Sequence, residues 1–157
     1  MWADLGSGEG AFTSALAELV GASALIFSVD RDHAALARQQ TARGRRFAQA
    51  PTSVVLGDFT EPLDLPPLDG VVMANSLHFT EDKAPVLKLV RSYLKPGGRL
   101  IVVEYDVDRG NPWVPFPFSF TTWKRLARDN GFSEPALIGR HESRWLRGLY
   151  SAVSTRQ

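Results

Sequence analysis

The chain has no cysteine, which removes disulfide bonds, thiolate nucleophiles and cysteine-ligated zinc from the chemistry it can offer. Histidine is nearly as scarce: His33, His78 and His141 are scattered, without metal-ligand spacing, so no metal site is expected. An excess of one charge is missing too. With 18 lysines and arginines against 17 acidic residues, the formal charge of +1 gives little steering toward nucleic acid. The densest basic group, Arg38, Arg43, Arg45 and Arg46, surrounds the end of an expected helix and reads as a solvated face. No apolar run approaches the length that crosses a bilayer, and the N-terminus has neither a basic region nor a signal-like core. The expectation is a cytoplasmic protein with no membrane partner. Repeats, low-complexity tracts and dividing linkers are absent as well, so residues 1–157 read as one domain.

What is present begins at the first residue. Met1 to Gly10, M-W-A-D-L-G-S-G-E-G, is a short apolar strand running into a glycine-rich turn. Gly6, Gly8 and Gly10 permit positive φ angles and a close approach of backbone to ligand. Phe12, Ala15, Leu16 and Leu19 recur at helical spacing, so a helix starts at once with its N-terminus aimed at the turn. A dinucleotide fingerprint reads G-x-G-x-x-G and cradles pyrophosphate. Here the order is G-x-G-x-G, with Asp4 before it and Glu9 inside it. Negative charge there repels phosphate and suits an ammonium or sulfonium group.

Four further apolar runs follow. Ala24 to Val29 ends in Asp30, and an acid at the carboxyl end of a second strand can accept hydrogen bonds from both ribose hydroxyls. Nicotinamide enzymes share that device, and Asp30 or Asp32 could instead cap the helix His33 to Arg43; we assign the ribose to Asp30 and the cap to Asp32. Ser53 to Leu56 ends in Gly57-Asp58-Phe59. Asp69 to Ala74 leads into Asn75, Ser76, Leu77, His78 and Phe79, a polar cluster where open α/β sheets bind their ligands. Leu94-Lys95-Pro96-Gly97-Gly98 ends a helix by Pro-Gly-Gly before the strand Arg99 to Tyr105. Between the third and fourth runs, the proline-rich stretch Glu61 to Leu68 reads as a crossover loop.

The segment D-L-G-S-G-E-G at Asp4 to Gly10 resembles the first motif of class I S-adenosylmethionine-dependent methyltransferases, and L-K-P-G-G-x-L at Leu94 to Leu100 resembles another of their signatures. The resemblance implies an α/β, doubly wound Rossmann-like fold, a seven-stranded and mostly parallel sheet in the order 3-2-1-4-5-7-6 with the last strand antiparallel. It implies S-adenosyl-L-methionine as cofactor and S-adenosyl-L-homocysteine as product. It places the amino acid portion of the cofactor at Asp4, Gly6, Ser7 and Gly8, the ribose at Asp30 beside Arg31, and the adenine at Asp58 and Phe59, with Asn75 also facing the cofactor. A plain Gly-Asp turn is the alternative at Gly57-Asp58. Amino-group methyltransferases carry N-P-P-Y-like signatures after the fourth strand, whereas A-N-S-L-H-F here looks like the A-N-x-L-H pattern of small-molecule enzymes.

His78 is then the candidate base or positioning group, with Tyr105 and Glu104 as second choices. The alternative is a solvent-facing or helix-capping histidine. In typical members a helical segment precedes the first motif and helps cover the site, while here the glycine turn begins almost at Met1. The sequence leaves open a minimal enzyme, a misplaced start or a shortened chain; for a minimal enzyme, substrate contacts are expected from Asn111 to Phe120, N-P-W-V-P-F-P-F-S-F. Three prolines limit the ordering cost there, and Trp113, Phe116, Phe118 and Phe120 offer apolar area. The same rings could instead close the core or form a homodimer contact. Past Phe120, Trp123, Leu126 and Ala127 mark a last helix stopping near Asn130-Gly131, and the runs Ala136 to Glu142 and Gly148 to Ser154 suggest a terminal antiparallel hairpin.

The function this implies is methyl transfer from S-adenosylmethionine to a nucleophile on a small molecule by in-line displacement. The alternatives are a non-catalytic S-adenosylmethionine-binding regulatory or assembly protein, a nicotinamide enzyme, and an RNA methyltransferase. Charge and the sequence after the fourth strand disfavour the last.

Overall fold

A computed structural model describes residues 1–43, 50–143, 146 and 148–157. The elements run β1 (Trp2–Leu5), α1 (Ala11–Val20), β2 (Ile26–Asp30), α2 (His33–Arg43), β3 (Thr52–Leu56), β4 (Leu68–Ala74), a 3-10 turn (Leu77–Phe79), α3 (Ala84–Tyr93), β5 (Leu94–Tyr105), α4 (Phe120–Asp129), β6 (Ala136–His141) and β7 (Leu149–Thr155). The strands form one sheet in the order β3-β2-β1-β4-β5-β7-β6. Neighbours from β3 through β5 are parallel, and β7 runs antiparallel to both β5 and β6. This is the Rossmann-like methyltransferase order expected from the sequence.

The central strands are apolar because helices cover both faces of the sheet. Leu5, Val71, Met73, Leu100 and Val102 are buried with Leu87 and Val90 of α3 and Trp123 of α4 in the larger cluster. Leu16 and Ala17 of α1 close the other face over Ile26 and Val72. Burying each such branched side chain contributes about 1.5–3 kcal/mol. Helix starts follow local chemistry. Asp32 accepts from the amides of Ala34 and Ala35, Ser119 from the amide of Thr122, and α3 carries a proline in its first turn.

One boundary differs from expectation. Helix α3 stops at Tyr93, and the strand begins at Leu94, so Pro96-Gly97-Gly98 lies within β5 rather than in a turn before it. Pro96 disfavours helical geometry at Lys95. Gly97 takes φ 74 and gives its N–H to the carbonyl of Arg156, while Gly98 accepts from Arg156, so the segment is pinned to the chain end. The register between β4 and β5 shifts there, between Leu68 and Gly70. Of the basic group, Arg38 pairs with Glu9 at 2.8 Å; Arg45 and Arg46 lie outside the described residues.

Candidate functional site

The carboxyl ends of β1 to β4 open into a cavity of about 330 Å³ lined by the glycine turn, Asp30, Arg31, Asp58, Phe59 and the Asn75–Ser76 corner, with Phe79 and Thr80 at its rim. The turn is held by backbone bonds. Gly6 and Ser7 donate to the carbonyl of Val29, and Gly8 donates to the Asp30 carboxylate at 2.7 Å. Gly6 has φ 78, and a side chain there would collide with Ser76. Gly8 has φ 53, and a Cβ there would meet nothing within 4 Å. The first glycine serves packing, and the second faces open space.

Asp30 accepts from Gly8 through one oxygen and from the amide of Asp32 through the other. Asp32 itself caps α2, dividing the two acids as expected. Asp58 accepts from the amide and hydroxyl of Thr60 at 2.9 and 2.7 Å. Arg31 stands 3.4 Å from its second oxygen. Partial burial works to raise the Asp58 carboxyl, but the Thr60 bonds and the Arg31 guanidinium outweigh it and hold it below the ordinary range. Phe59 lies against Gly6 along the same wall.

Asp4 and Ser7 require correction, because neither lines this cavity. The Asp4 side chain turns under the glycine loop, where it accepts from the Thr13 hydroxyl at 2.6 Å. Thr13 in turn meets Ser28, and Ser28 meets Gln39. Burial pushes the Asp4 carboxyl up to about 6, with the Thr13 bond opposing and the charge of Asp30 adding to the rise. The strand pleat explains the placement. Ala3 and Leu5 point to one face of the sheet and Asp4 to the other, beneath α1, so its charge supports the turn from behind. The Ser7 hydroxyl is buried without a partner.

A second cavity, of about 350 Å³, shares Asn75 and Phe79 with the first. Its other lining residues are His78, Tyr105, Asn111, Trp113 and Val114. Asn75 has φ 52, the one positive value outside glycine among the described residues, and its side-chain oxygen is buried without a partner. His78 is 3 % exposed and Glu104 0 %. Nδ1 of His78 lies 2.7 Å from one Glu104 oxygen, while the other oxygen accepts from the amides of Leu77 and His78 at 3.0 and 3.2 Å. The Glu104 carboxyl thus bridges the backbone of the turn and Nδ1 of His78, and Nε2 is the ring nitrogen left outside that contact. Tyr105 stands edge-on to the imidazole at 6.1 Å.

The aromatic segment divides. Trp113, 73 % exposed, lines the second cavity. Phe116 is partly exposed outside the lining, and its amide ties the segment to the carbonyl of His78 at 3.0 Å. Phe118 is a correction: at 1 % exposed it packs on Trp123 and Tyr150 in the core and cannot touch a substrate. Sequence reasoning missed Thr60 and Thr80 as cavity residues, while Ser76 and Phe79 lie inside the A-N-S-L-H-F segment already singled out.

This sheet order, with a glycine turn after β1 and acids after β2 and β3, defines a class I, Rossmann-like methyltransferase fold. The family described as "Methyltransferase domain" matches residues 2–137, and the chain belongs to it. It is 30 % identical over 154 residues to an arsenite methyltransferase of Aquipseudomonas alcaligenes, covering 86 % of this chain and 44 % of that protein. It is 28 % identical over 139 residues to the O-methyltransferase cnsE of Penicillium expansum, covering 86 % of this chain and 45 % of that protein. The chain thus spans a little under half the length of these relatives. In fold it matches the magnesium protoporphyrin IX methyltransferase of Synechocystis PCC 6803 solved with bound S-adenosylmethionine, at a TM-score of 0.77 and 19 % identity, covering 100 % of this chain and 70 % of that one.

Proposed function

We propose that this chain is a methyltransferase that uses S-adenosylmethionine and methylates a small, uncharged, largely apolar acceptor. The observation that carries the reading is the pair of cavities sharing Asn75 and Phe79, one edged by Asp30 and Asp58, the other walled by Tyr105 and Trp113 and faced by His78.

The residues of the first cavity fit the cofactor. Each oxygen of Asp30 takes one backbone donor and keeps a lone pair for a ribose hydroxyl. Asp58 offers an acceptor to the adenine amine, and Phe59 offers a ring face to the purine. The open space at Gly8 and the unpartnered Asn75 oxygen leave room and an acceptor for the amino acid portion. Asp4, behind the turn, contributes through the field it sets at the N-terminus of α1. When bound, S-adenosylmethionine supplies a methyl group already activated by its sulfonium.

The chain's remaining work is alignment, exclusion of water and handling of one proton. Phe79, Tyr105 and Trp113 form apolar walls for a flat acceptor. No lysine, arginine or carboxylate lines the described second cavity, so a charged acceptor would lose hydration there without a partner. His78 is the proposed base, taking the acceptor's proton on Nε2 while Glu104 holds Nδ1–H. In this reading Trp113 faces substrate, with neither nucleic acid nor a second subunit needed at that wall.

The test is release of S-adenosylhomocysteine with a panel of neutral phenolic and other hydroxyl acceptors, in the parent and in His78→Ala. The expected loss in the variant is about 10²- to 10⁴-fold in turnover, with cofactor binding kept. Full turnover in His78→Ala would remove the base assignment. Cofactor binding without turnover for any acceptor would favour a non-catalytic binding protein instead.

A further inference from the structure

Asn111 opens the aromatic segment, is half-buried, and lines the second cavity together with His78, Tyr105 and Trp113. Its side chain shapes a tight turn. Oδ1 accepts from the amides of Trp113 and Val114, both at 2.9 Å, while its main chain exchanges hydrogen bonds with Val114 at 3.0 and 3.2 Å. Of the two ends of a carboxamide only the oxygen can meet backbone N–H donors, so the orientation of this group is fixed. What remains is the Nδ2 amino group, a donor with no partner among the described residues.

We propose that Asn111 determines acceptor specificity, its Nδ2 donating a hydrogen bond to a carbonyl oxygen of the acceptor. The acceptor class is then a flat hydroxyl compound that also carries a ketone, ester or lactone carbonyl. The inference rests on the second cavity being the acceptor site, as proposed above.

The donor is set in place before any ligand arrives. Asp106 and Asp108, just past β5, accept from the amides of Phe120 and Ser119 at 2.8 Å each, which pins the far end of the segment. Phe116 donates to the carbonyl of His78 at 3.0 Å, which ties its middle to the turn carrying the proposed base. Gly110 lies so close to the carbonyls of Val114 and Pro115 that a Cβ there would collide with both, so the Asn111 turn is closed tightly at its root. A donor held this way loses little freedom when it binds.

The chemistry of the partner follows from what lines the cavity. An amino group needs an acceptor atom opposite it. A carboxylate would supply one, but no lysine or arginine lines the described cavity to replace its lost hydration. A second hydroxyl would bring a proton that needs an acceptor of its own. A carbonyl oxygen has lone pairs, no proton and no charge, and conjugated with a ring it keeps the molecule flat against the walls of Tyr105 and Trp113.

The substitution that separates donor from turn is Asn111→Asp. Its carboxylate still accepts from the amides of Trp113 and Val114 but presents an oxygen where the amino group stood. Calorimetry with S-adenosylhomocysteine present compares hydroxyphenyl alkyl ketones, substituted ortho, meta and para, with hydroxyphenyl alkanes of the same shape. For at least one pair the ratio of ketone to alkane affinity should fall about 3- to 10-fold from parent to variant, the contribution of one hydrogen bond. In the unaltered chain, NMR of the Asn111 side-chain amide, assigned through the backbone, should show its protons shifting downfield with that ketone and not with its alkane. An unchanged ratio in a folded Asn111→Asp overturns the proposal, and so do amide protons that no ketone shifts. The second result decides even if the variant does not fold. Ketone binding that shifts these protons without any methyl transfer would support the donor and fail the proposed function, so the two failures are distinct.

Discussion

The amide of Gly8 and the carboxylate of Asp30 lie 2.7 Å apart across 22 residues of sequence, so the acid that ends β2 also shapes the glycine turn that follows β1. The second Asp30 oxygen is held by the amide of Asp32. Loop and acid are thus oriented before any ligand arrives, which lowers the ordering that binding must supply.

Two glycines of the turn should separate by experiment. Gly6→Ala puts a Cβ into Ser76 at a positive φ and should destabilise the fold by about 2–4 kcal/mol. Gly8→Ala meets no atom within 4 Å and should cost only about 1–2 kcal/mol for its backbone conformation, while filling space on the cavity side and weakening cofactor binding. Urea unfolding and calorimetry on both variants check this; equal loss of stability in the two would contradict it.

Asp4 gives a pH dependence of defined sign. Its carboxyl rises from 3.8 to about 6 on folding, so folding favours the protonated form. The stabilisation from Asp4 is full below 3.8 and is lost as pH rises through 6, a change of about 3 kcal/mol. Stability measured in urea at several pH values between 4 and 7 should decline less steeply with rising pH in Asp4→Asn than in the parent. Parallel curves would show that Asp4 titrates normally.

Helix and strand positions were legible because their signals are local. The His33–Arg43 helix starts behind its Asp32 cap as read, and the sheet order is the one the family resemblance implies. Which face a side chain takes was less legible. Asp4 looked like a cavity residue because the glycines beside it are, but strand alternation sends it under the loop. Phe116 and Phe118 have the same chemistry and sit two residues apart, yet only the packing of α4 and β7 decides that Phe118 is core. The Glu104–His78 bond joins residues 26 apart, a pairing that follows from the neighbouring positions of β4 and β5 and has no local sequence signal.

That division predicts opposite behaviour along the aromatic segment. Phe118→Ala should destabilise the fold by about 3–5 kcal/mol, the cost of emptying a buried ring site. Trp113→Ala should leave stability within about 0.5 kcal/mol and instead raise KM for the acceptor. Thermal unfolding and steady-state kinetics distinguish the two, and an unchanged KM in Trp113→Ala would remove that ring from the substrate wall.

The most direct measurement is calorimetric titration of the chain with S-adenosylmethionine and S-adenosylhomocysteine, repeated for Asp30→Ala with its circular dichroism compared to the parent. The account predicts saturable one-site binding of both ligands, weakened at least about tenfold in a variant that still folds, because charge-assisted hydrogen bonds to the ribose are lost with the carboxylate. No binding by the parent, or equal binding by a folded Asp30→Ala, would contradict the placement of the cofactor between the glycine turn and Asp30.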